Sequence, residues 1–126
     1  MLLRELEALL VSTEHHCGPS IASLTSLDRD TWAARRARLL QRSASAVNTV
    51  DSALLVCCLD FTGPDTRGAL YESYLHGGNH DEKRWWDKLS LIVTPAGDAC
   101  VNFEHSPYDG STVIRMSVEP FFRLFG

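Results

Sequence analysis

Several common classes of protein are disfavoured by what the sequence lacks. No G-x-S-x-G segment is present, so a serine hydrolase with a nucleophile elbow is not expected. No apolar run is long enough to span a bilayer, and no block of basic residues is present that would bind nucleic acid. The net charge of −4 also disfavours nucleic acid as a partner. The hydrophobic content of 44% indicates a globular chain of one domain or less that can bury a core.

Cysteine is not spaced for a disulfide framework or a zinc site. The four cysteines are Cys17, Cys57, Cys58 and Cys100, and no two of them have C-x-x-C spacing. Cys57 and Cys58 are adjacent within an apolar, strand-like run, which predicts buried thiols. This usage is typical of a reducing compartment.

Histidine does not form a metal-binding pattern either. His76 and His80 have the i, i+4 spacing of ligands on a helix, but the two glycines between them should prevent a regular helix. The other group, His15-His16-Cys17, supplies too few ligands for a structural zinc site, which needs four. We therefore expect loops here and no metal centre.

The most informative feature present is the hexapeptide of form HxxxDG at residues 105–110. His105 follows an apolar, strand-like run, and Asp109 and Gly110 come four and five residues later. An imidazole at the end of a strand can accept and return a proton near neutral pH. A carboxylate can hold the ring or its loop, and glycine lets substrate or backbone approach closely. The pattern indicates His105 as a general base, with Asp109 as its orienting group or loop anchor.

A structural interpretation accounts for the same residues. In it, His105 is a surface residue in a strand-to-helix turn, and Asp109 only caps the following helix. Short motifs also occur by chance. The hexapeptide alone leaves both interpretations open.

Further segments, in a fixed order around the hexapeptide, resemble the choline/carnitine acyltransferase family. That family shows an R-W-aromatic-D-K segment, a strand, a D/G turn, a second strand, and then E-H-S followed by D-G. The matching segments are Arg84-Trp85-Trp86-Asp87-Lys88, Leu91-Ile92-Val93, Gly97-Asp98 and Glu104-His105-Ser106. Upstream matches are Leu24-Thr25-Ser26, Arg29-Asp30-Thr31-Trp32-Ala33, Ser52-Ala53-Leu54, Cys58-Leu59-Asp60 and Leu75-His76-Gly77. The resemblance covers roughly residues 21–116.

The chain departs from the family pattern at a few positions. Lys83 stands where the family usually has Asn, and Trp86 stands where it usually has Phe or Tyr. The segment before His105 is slightly short and is closer to a carnitine acetyltransferase-like branch that reads NFEH…DG…TV(L/I)R. The chain echoes that branch at residues 102–105 and 112–115. This similarity favours carnitine over choline and a short acyl chain over a long one.

The resemblance implies an α/β fold, more strictly α+β, with a mixed sheet and flanking helices. It would be part of one half of a chloramphenicol-acetyltransferase-like structure of two halves, with the active site in a tunnel between them. Family members are several times longer, so residues 1–126 are expected to be an internal fragment that is inactive alone. The first residues make a poor signal peptide, since Arg4, Glu5 and Glu7 interrupt their apolar stretch. No location is predicted.

The resemblance also implies reversible acyl transfer between acyl-CoA and the hydroxyl of carnitine. His105 would take the hydroxyl proton during attack on the thioester and pass it to the departing thiolate of coenzyme A. Acyl-CoA is a co-substrate here, and no bound cofactor is implied. Arg84 is expected to make a bidentate contact with a buried carboxylate such as Asp109. Lys88 is expected to be structural, with contact to a phosphate of coenzyme A as the alternative.

Two other functions stay open. The first is another HxxxDG-type acyltransferase, although Glu104 stands where condensation domains carry a second His, and the DFGWG segment of the plant type is absent. The second is a truncated, non-catalytic interaction domain, which the unfamiliar tail after residue 116 supports.

The hydrophobic pattern predicts the order of helices and strands. It predicts an amphipathic helix over residues 2–11, a loop over 12–20, a helix over 30–42 capped by Asp28 or Asp30, a short helix over 47–52, a strand over 53–59, and a helix from a cap at Asp65 to about Tyr74. It then predicts a hairpin of residues 88–94 and 99–104, and a helix after Gly110 that Pro120 should break.

Overall fold

The computed structural model describes Ala8, residues 20–60, Gly63, residues 65–77 and residues 84–125. The elements are a short 3₁₀ helix at Ala22–Ser26, helix α1 at Arg29–Ser52, strand β1 at Val56–Leu59, helix α2 at Arg67–His76, strands β2 at Ser90–Val93 and β3 at Ala99–Asn102, and helix α3 at Gly110–Phe125. This is the α+β fold class that the sequence predicts. The expected helix over residues 2–11 lies outside the described residues except for Ala8, and His15, His16, Cys17 and residues 78–83 also lie outside them.

The three strands form a mixed sheet in the order β1-β2-β3. β1 and β2 are parallel, with Val56 opposite Ser90, and β2 and β3 are antiparallel, with Ser90 opposite Asn102. Parallel strands need a crossover connection, and α2 lies in the segment that joins β1 to β2. The first residues of β1 and β2 and the last residue of β3 therefore meet at one end of the sheet.

The predicted hairpin between β2 and β3 is confirmed. The N–H of Thr94 donates to the carbonyl of Asp98 at 2.9 Å, and the N–H of Gly97 donates to the carbonyl of Thr94 at 3.0 Å. Gly97 has φ +87°, a conformation that residues with a Cβ rarely adopt. Glycine at this position thus allows the tight turn.

Helix α1 begins at a predicted cap and turns back on itself. The carboxylate of Asp28 accepts the N–H of Thr31 at 2.9 Å. Ser43 has non-helical backbone angles, φ −152° and ψ 68°. Arg36 and Asp51 form an ion pair across this break, although a straight helix would place residues 15 apart about 22 Å from each other. The two halves of α1 therefore lie side by side, in agreement with two helices predicted on either side of residues 43–46.

The boundaries of β1 and α2 differ from the prediction. Strand β1 begins at Val56, so the predicted strand start at residue 53 is wrong. Thr66, and not Asp65, caps α2, because its hydroxyl accepts the N–H of Ala69 at 3.2 Å. The helix runs past Tyr74 and ends where Gly77 takes a left-handed conformation, φ 82°. This supports the prediction that glycine interrupts the helix after His76.

Pro120 does not break helix α3, and that prediction was wrong. The helix continues through the proline to Phe125. Proline removes the N–H that would bond the carbonyl of Met116, yet the turns on either side keep their own bonds. Glu119 also pairs with Arg115 at 3.5 Å and with Arg123 at 2.8 Å, so ion pairs link the turns on both sides of Pro120.

A small core joins the sheet to α2. Cys58, Tyr74 and Ile92 are its buried members, and the half-buried residues packed on it are Val56, Leu70, Trp85 and Cys100. Within the described part of the chain, no helix has both the length and the apolar character needed to cross a membrane.

Candidate active site

His105 lies in a turn just beyond the end of β3, at the end of the sheet where β1 and β2 begin. Its side chain is exposed, and its ring centroid lies 5.7 Å from that of Phe103 with an interplanar angle of 35°. An exposed imidazole at the end of a sheet is accessible to a substrate. The position agrees with the strand-end location that the sequence indicates.

Glu104 closes the turn that carries His105. Its Oε2 atom accepts the N–H of Ser106 at 2.9 Å and also accepts the hydroxyl of Ser106. These hydrogen bonds stabilise the ionised carboxylate and lower the pKa of Glu104, and the charge of Arg29 acts in the same direction. Glu104 therefore remains charged beside His105 at neutral pH.

Asp109 caps helix α3. Its Oδ2 atom accepts the N–H of Ser111 at 3.3 Å and the hydroxyl of Ser111. Its carbonyl accepts the N–H of Thr112 at 3.0 Å. The hydrogen bonds from Ser111 lower the pKa of Asp109, and the charge on His105 acts in the same direction. This geometry gives Asp109 the capping role that the sequence left open, beside its predicted role toward His105.

Arg84 pairs with Asp60 and not with Asp109, so the partner expected from the sequence was wrong. Its Nη1 and Nη2 atoms donate to the two carboxylate oxygens of Asp60 at 3.0 and 2.7 Å, and Nη2 also donates to the Ser73 hydroxyl at 3.2 Å. Both charged side chains are 1% exposed. The expected bidentate contact with a buried carboxylate is present. Asp109 is exposed and caps a helix, so it is not the buried partner that Arg84 requires.

Burial and pairing act in opposite directions on Arg84. Burial disfavours the charged guanidinium, but the hydrogen bonds and charge of Asp60 outweigh it and raise the pKa of Arg84. Arg84 is thus a permanent cation in the core. It also lies close enough to Cys58 for its charge to lower the pKa of that thiol, which burial raises on balance.

Lys88 is held by its neighbours at the start of β2. Its Nζ atom lies 3.8 Å from Asp51, 3.6 Å from Asp87 and 5.9 Å from the ring centroid of Trp85. Asp51 also pairs with Arg36, so it links both halves of α1 to Lys88, just before β2. These contacts give Lys88 the structural role that the sequence favoured.

A cleft of about 190 Å³ lies beside the turn that carries His105. The end of α1 and the residues that precede β1 and β2 form one side. The turn that carries His105 forms the other side. Its lining residues are Asp51, Ala53, Leu54, Asp87, Lys88, Leu89, Glu104, Pro107 and Tyr108. The cleft mixes apolar side chains with four charged groups, so it suits a ligand of mixed polarity.

The three cysteine thiols in the described ranges do not form a reactive site. Cys58 is buried, as expected. Cys100 is only half-buried and Cys57 is exposed, so the prediction of a buried thiol is wrong for Cys57. Burial is the first cause that raises the pKa of all three, which keeps them protonated at neutral pH. In the described ranges, no group of three or more His, Cys, Asp or Glu side chains could hold a metal ion.

Sequence reasoning missed two features of this region. The first is the burial of Asp60, for which the apolar strand immediately before it was the available signal. The second is the pair of bonds that join Glu104 to Ser106 and Asp109 to Ser111. Their signal was the repeated pattern of an acid followed two residues later by serine.

Comparison with known proteins identifies the family. Residues 1–121 match the family described as Choline/Carnitine o-acyltransferase. Because the match covers nearly the whole chain, the chain belongs to the choline/carnitine O-acyltransferase family. The resemblance inferred from the ordered motifs is thereby confirmed.

The chain is similar to segments of much longer proteins. It is 44% identical over 100 residues to the mitochondrial carnitine O-palmitoyltransferase 2 of Xenopus tropicalis and 34% identical over 116 residues to the choline O-acetyltransferase of Homo sapiens. These alignments cover 78% and 84% of the chain but 15% of each relative. A similar segment, 35% identical over 103 residues, makes up 3% of highly reducing polyketide synthase 17 of Metarhizium anisopliae. The chain thus spans about 15% of the length of the first two relatives.

Proposed function

We propose that this chain supplies the general base, His105, for reversible acyl transfer between acyl-CoA and the hydroxyl of carnitine. One observation carries the proposal: the histidine of the HxxxDG pattern is exposed, in a closed turn, at the end of the sheet beside a cleft. Membership of an acyltransferase family supports the reaction class. Acyl-CoA acts as a co-substrate.

A single base serves both directions of the reaction. The imidazole of His105 accepts the proton of the alcohol as its oxygen bonds to the thioester carbonyl carbon. When the carbon–sulfur bond breaks, the imidazolium donates the same proton to the sulfur of coenzyme A. The enzyme returns to its starting protonation state, and no covalent acyl-enzyme is needed.

The alcohol is proposed to be carnitine, with choline as the alternative. The similarity of residues 102–105 and 112–115 to the carnitine branch supports this choice, and so does the higher identity to the carnitine relative than to the choline relative. A short acyl chain is proposed from the same branch. The palmitoyl group in the name of the carnitine relative makes a long chain the competing outcome.

Thiol release from acetyl-CoA and palmitoyl-CoA, each with carnitine or choline, tests the substrates. We expect carnitine-dependent release by the complete gene product, and faster release from acetyl-CoA. Turnover with choline and none with carnitine would overturn the choice of alcohol. Faster turnover of palmitoyl-CoA would overturn the choice of acyl chain.

Replacing His105 tests the base. His105→Ala is expected to reduce kcat by ~10²–10⁴-fold, the usual contribution of a positioned general base. KM should change little, since the base acts only as bonds form. The control is His76→Ala, which removes another exposed histidine on a different element, at the C-terminus of α2. Normal turnover by His105→Ala would show that the base lies elsewhere.

Asp109→Asn separates the two interpretations of Asp109. Asparagine caps a helix nearly as well as aspartate, so activity should persist if capping is the only role. A loss of kcat with an intact fold, measured by circular dichroism, would instead support a role of its charge toward His105. We expect a loss from the HxxxDG pattern, in which Asp109 is the predicted orienting group of His105. Retained activity would leave Asp109 with the capping role alone.

A further inference from the structure

The turn that carries His105 is bracketed by two carboxylate–serine contacts of the same form. On one side, Glu104 accepts both the N–H and the hydroxyl of Ser106. On the other side, Asp109 accepts both the N–H and the hydroxyl of Ser111. We call these two contacts the acid–serine clamps. Each closes a loop of three residues, and together they enclose the segment from His105 to Tyr108.

The clamps restrain backbone that has few other contacts to hold it. Residues 104–109 are exposed and lie outside any strand or helix, so no packed layer restrains them. A hydrogen bond to a carboxylate is stronger than a neutral one, and each clamp contains two. The segment between them is therefore anchored to the end of β3 at Glu104 and to the start of α3 at Asp109.

We propose that Glu104, Ser106 and Ser111 are positioning residues that hold the turn carrying His105 in its reactive orientation. The proposal rests on the proposed function, in which His105 is the base. These residues do not touch the reacting atoms in this scheme. They act through His105, because a base must be held in reach of the proton that it abstracts.

Other charged groups surround the first clamp. The positive charge of Arg29, at the start of α1, helps to lower the pKa of Glu104. Asp51, Asp87 and Lys88 line the same cleft as Glu104. Lys88 is already engaged by both aspartates. The group that donates hydrogen bonds directly to Glu104 is Ser106.

The first test is kinetic and uses Ser111, whose hydroxyl is the simplest part of the clamps to remove. Ser111→Ala in the complete gene product should lower kcat by ~3–10-fold, the rate equivalent of about one hydrogen bond, with KM within ~2-fold of the parent. Ser111→Thr keeps a hydroxyl and should restore kcat. Ser117→Ala is the matched control on the same helix, since its hydroxyl bonds only the carbonyl of Val113. Equal kcat for Ser111→Ala and Ser117→Ala would overturn the proposal.

A double-mutant comparison separates positioning from general stability. If Ser111 acts through His105, its replacement should have little further effect on the residual rate of His105→Ala. A merely structural residue would lower the rate by the same factor in both backgrounds. The additive result would overturn the positioning role.

Hydrogen exchange provides a measurement that does not depend on activity. The N–H of Ser106 donates to Glu104, so Glu104→Ala should increase its exchange rate, whereas Glu104→Gln keeps an acceptor and should increase it less. Glu72→Ala, on α2, is the control. Unchanged exchange at Ser106 in Glu104→Ala would overturn the clamp itself. Normal turnover by His105→Ala would overturn the proposed base and with it the positioning role, and these exchange data would still decide whether the clamp exists.

Discussion

At the scale of single residues, Arg84 and Asp60 form a buried ion pair with bidentate geometry. Both side chains are 1% exposed, and two short hydrogen bonds join them. Two further donors of Arg84 reach Ser73, through its carbonyl at 3.4 Å and its hydroxyl at 3.2 Å. The pair therefore ties the residue after β1 to α2 and to the segment that leads into β2.

Removing one partner of this pair should strongly destabilise the fold. Arg84→Met would leave the carboxylate of Asp60 buried without its cation, which typically costs about 3–5 kcal/mol. Arg84→Lys keeps the charge but loses the planar fork, so it should rescue only part of the loss. Chemical denaturation measures the free energy of unfolding.

The matched control for this prediction is Arg36→Met. Arg36 pairs with Asp51 at the surface, where the two side chains are 37% and 31% exposed. An exposed pair typically contributes at most about 1 kcal/mol. If Arg84→Met and Arg36→Met lowered the free energy of unfolding by the same small amount, the buried pair would not stabilise the fold as predicted.

At the scale of elements, α1, α2 and α3 begin at caps of different chemistry. Asp28 starts α1 and Asp109 starts α3 with carboxylates, whereas Thr66 starts α2 with a hydroxyl. Hydrogen bonds from Thr31 and from Ser111 lower the pKa of Asp28 and Asp109. A hydroxyl does not titrate in this range, so only two of these three helix starts depend on pH.

Acid should therefore loosen the first turns of α1 and α3 before that of α2. Each carboxyl is more acidic in the folded chain than in the unfolded chain, where its ordinary value is 3.8. The stabilisation is thus complete above this value and is lost as pH falls through the lower folded value. Amide exchange at Thr31 and Ser111 should increase across this range, with Ala69 as the internal reference. Parallel behaviour of all three amides would contradict the cap assignment.

At the scale of the whole molecule, much apolar surface is exposed. Leu54 is 88% exposed at the entry of β1, and Ile114 and Phe122 on α3 are 66% and 65% exposed. The cleft beside His105 is open to solvent on the described surface. An acyl transfer that competes with hydrolysis needs a site from which water is excluded.

The 126-residue chain by itself should consequently show no measurable carnitine-dependent thiol release. It should also bind a hydrophobic dye through its exposed apolar side chains. The comparison protein is a full-length carnitine O-palmitoyltransferase 2, assayed at equal molar concentration. Release by the short chain at a similar rate would show that the described surface is sufficient for catalysis.

Local features were predictable because they depend on neighbours in the sequence. The cap at Asp28, the hairpin around Gly97 and the helix end at Gly77 follow from side chains that bond or permit nearby backbone. The continuation of helix α3 through Pro120 was not predicted from the sequence. In the structure, Glu119 forms ion pairs with Arg115 and Arg123, which join the turns around the proline. The position of His105 at a strand end was predictable for the same local reason.

The sequence by itself thus determined the family, the order of the elements and the location of the HxxxDG turn, because ordered motifs and short-range patterns are written along the chain. Only the tertiary structure decided that Arg84 binds Asp60, that α1 turns back at Ser43, and that Lys88 lies across the cleft from the turn. Those pairings join residues far apart in sequence. They depend on which strand ends meet in the sheet, and residue spacing does not specify that.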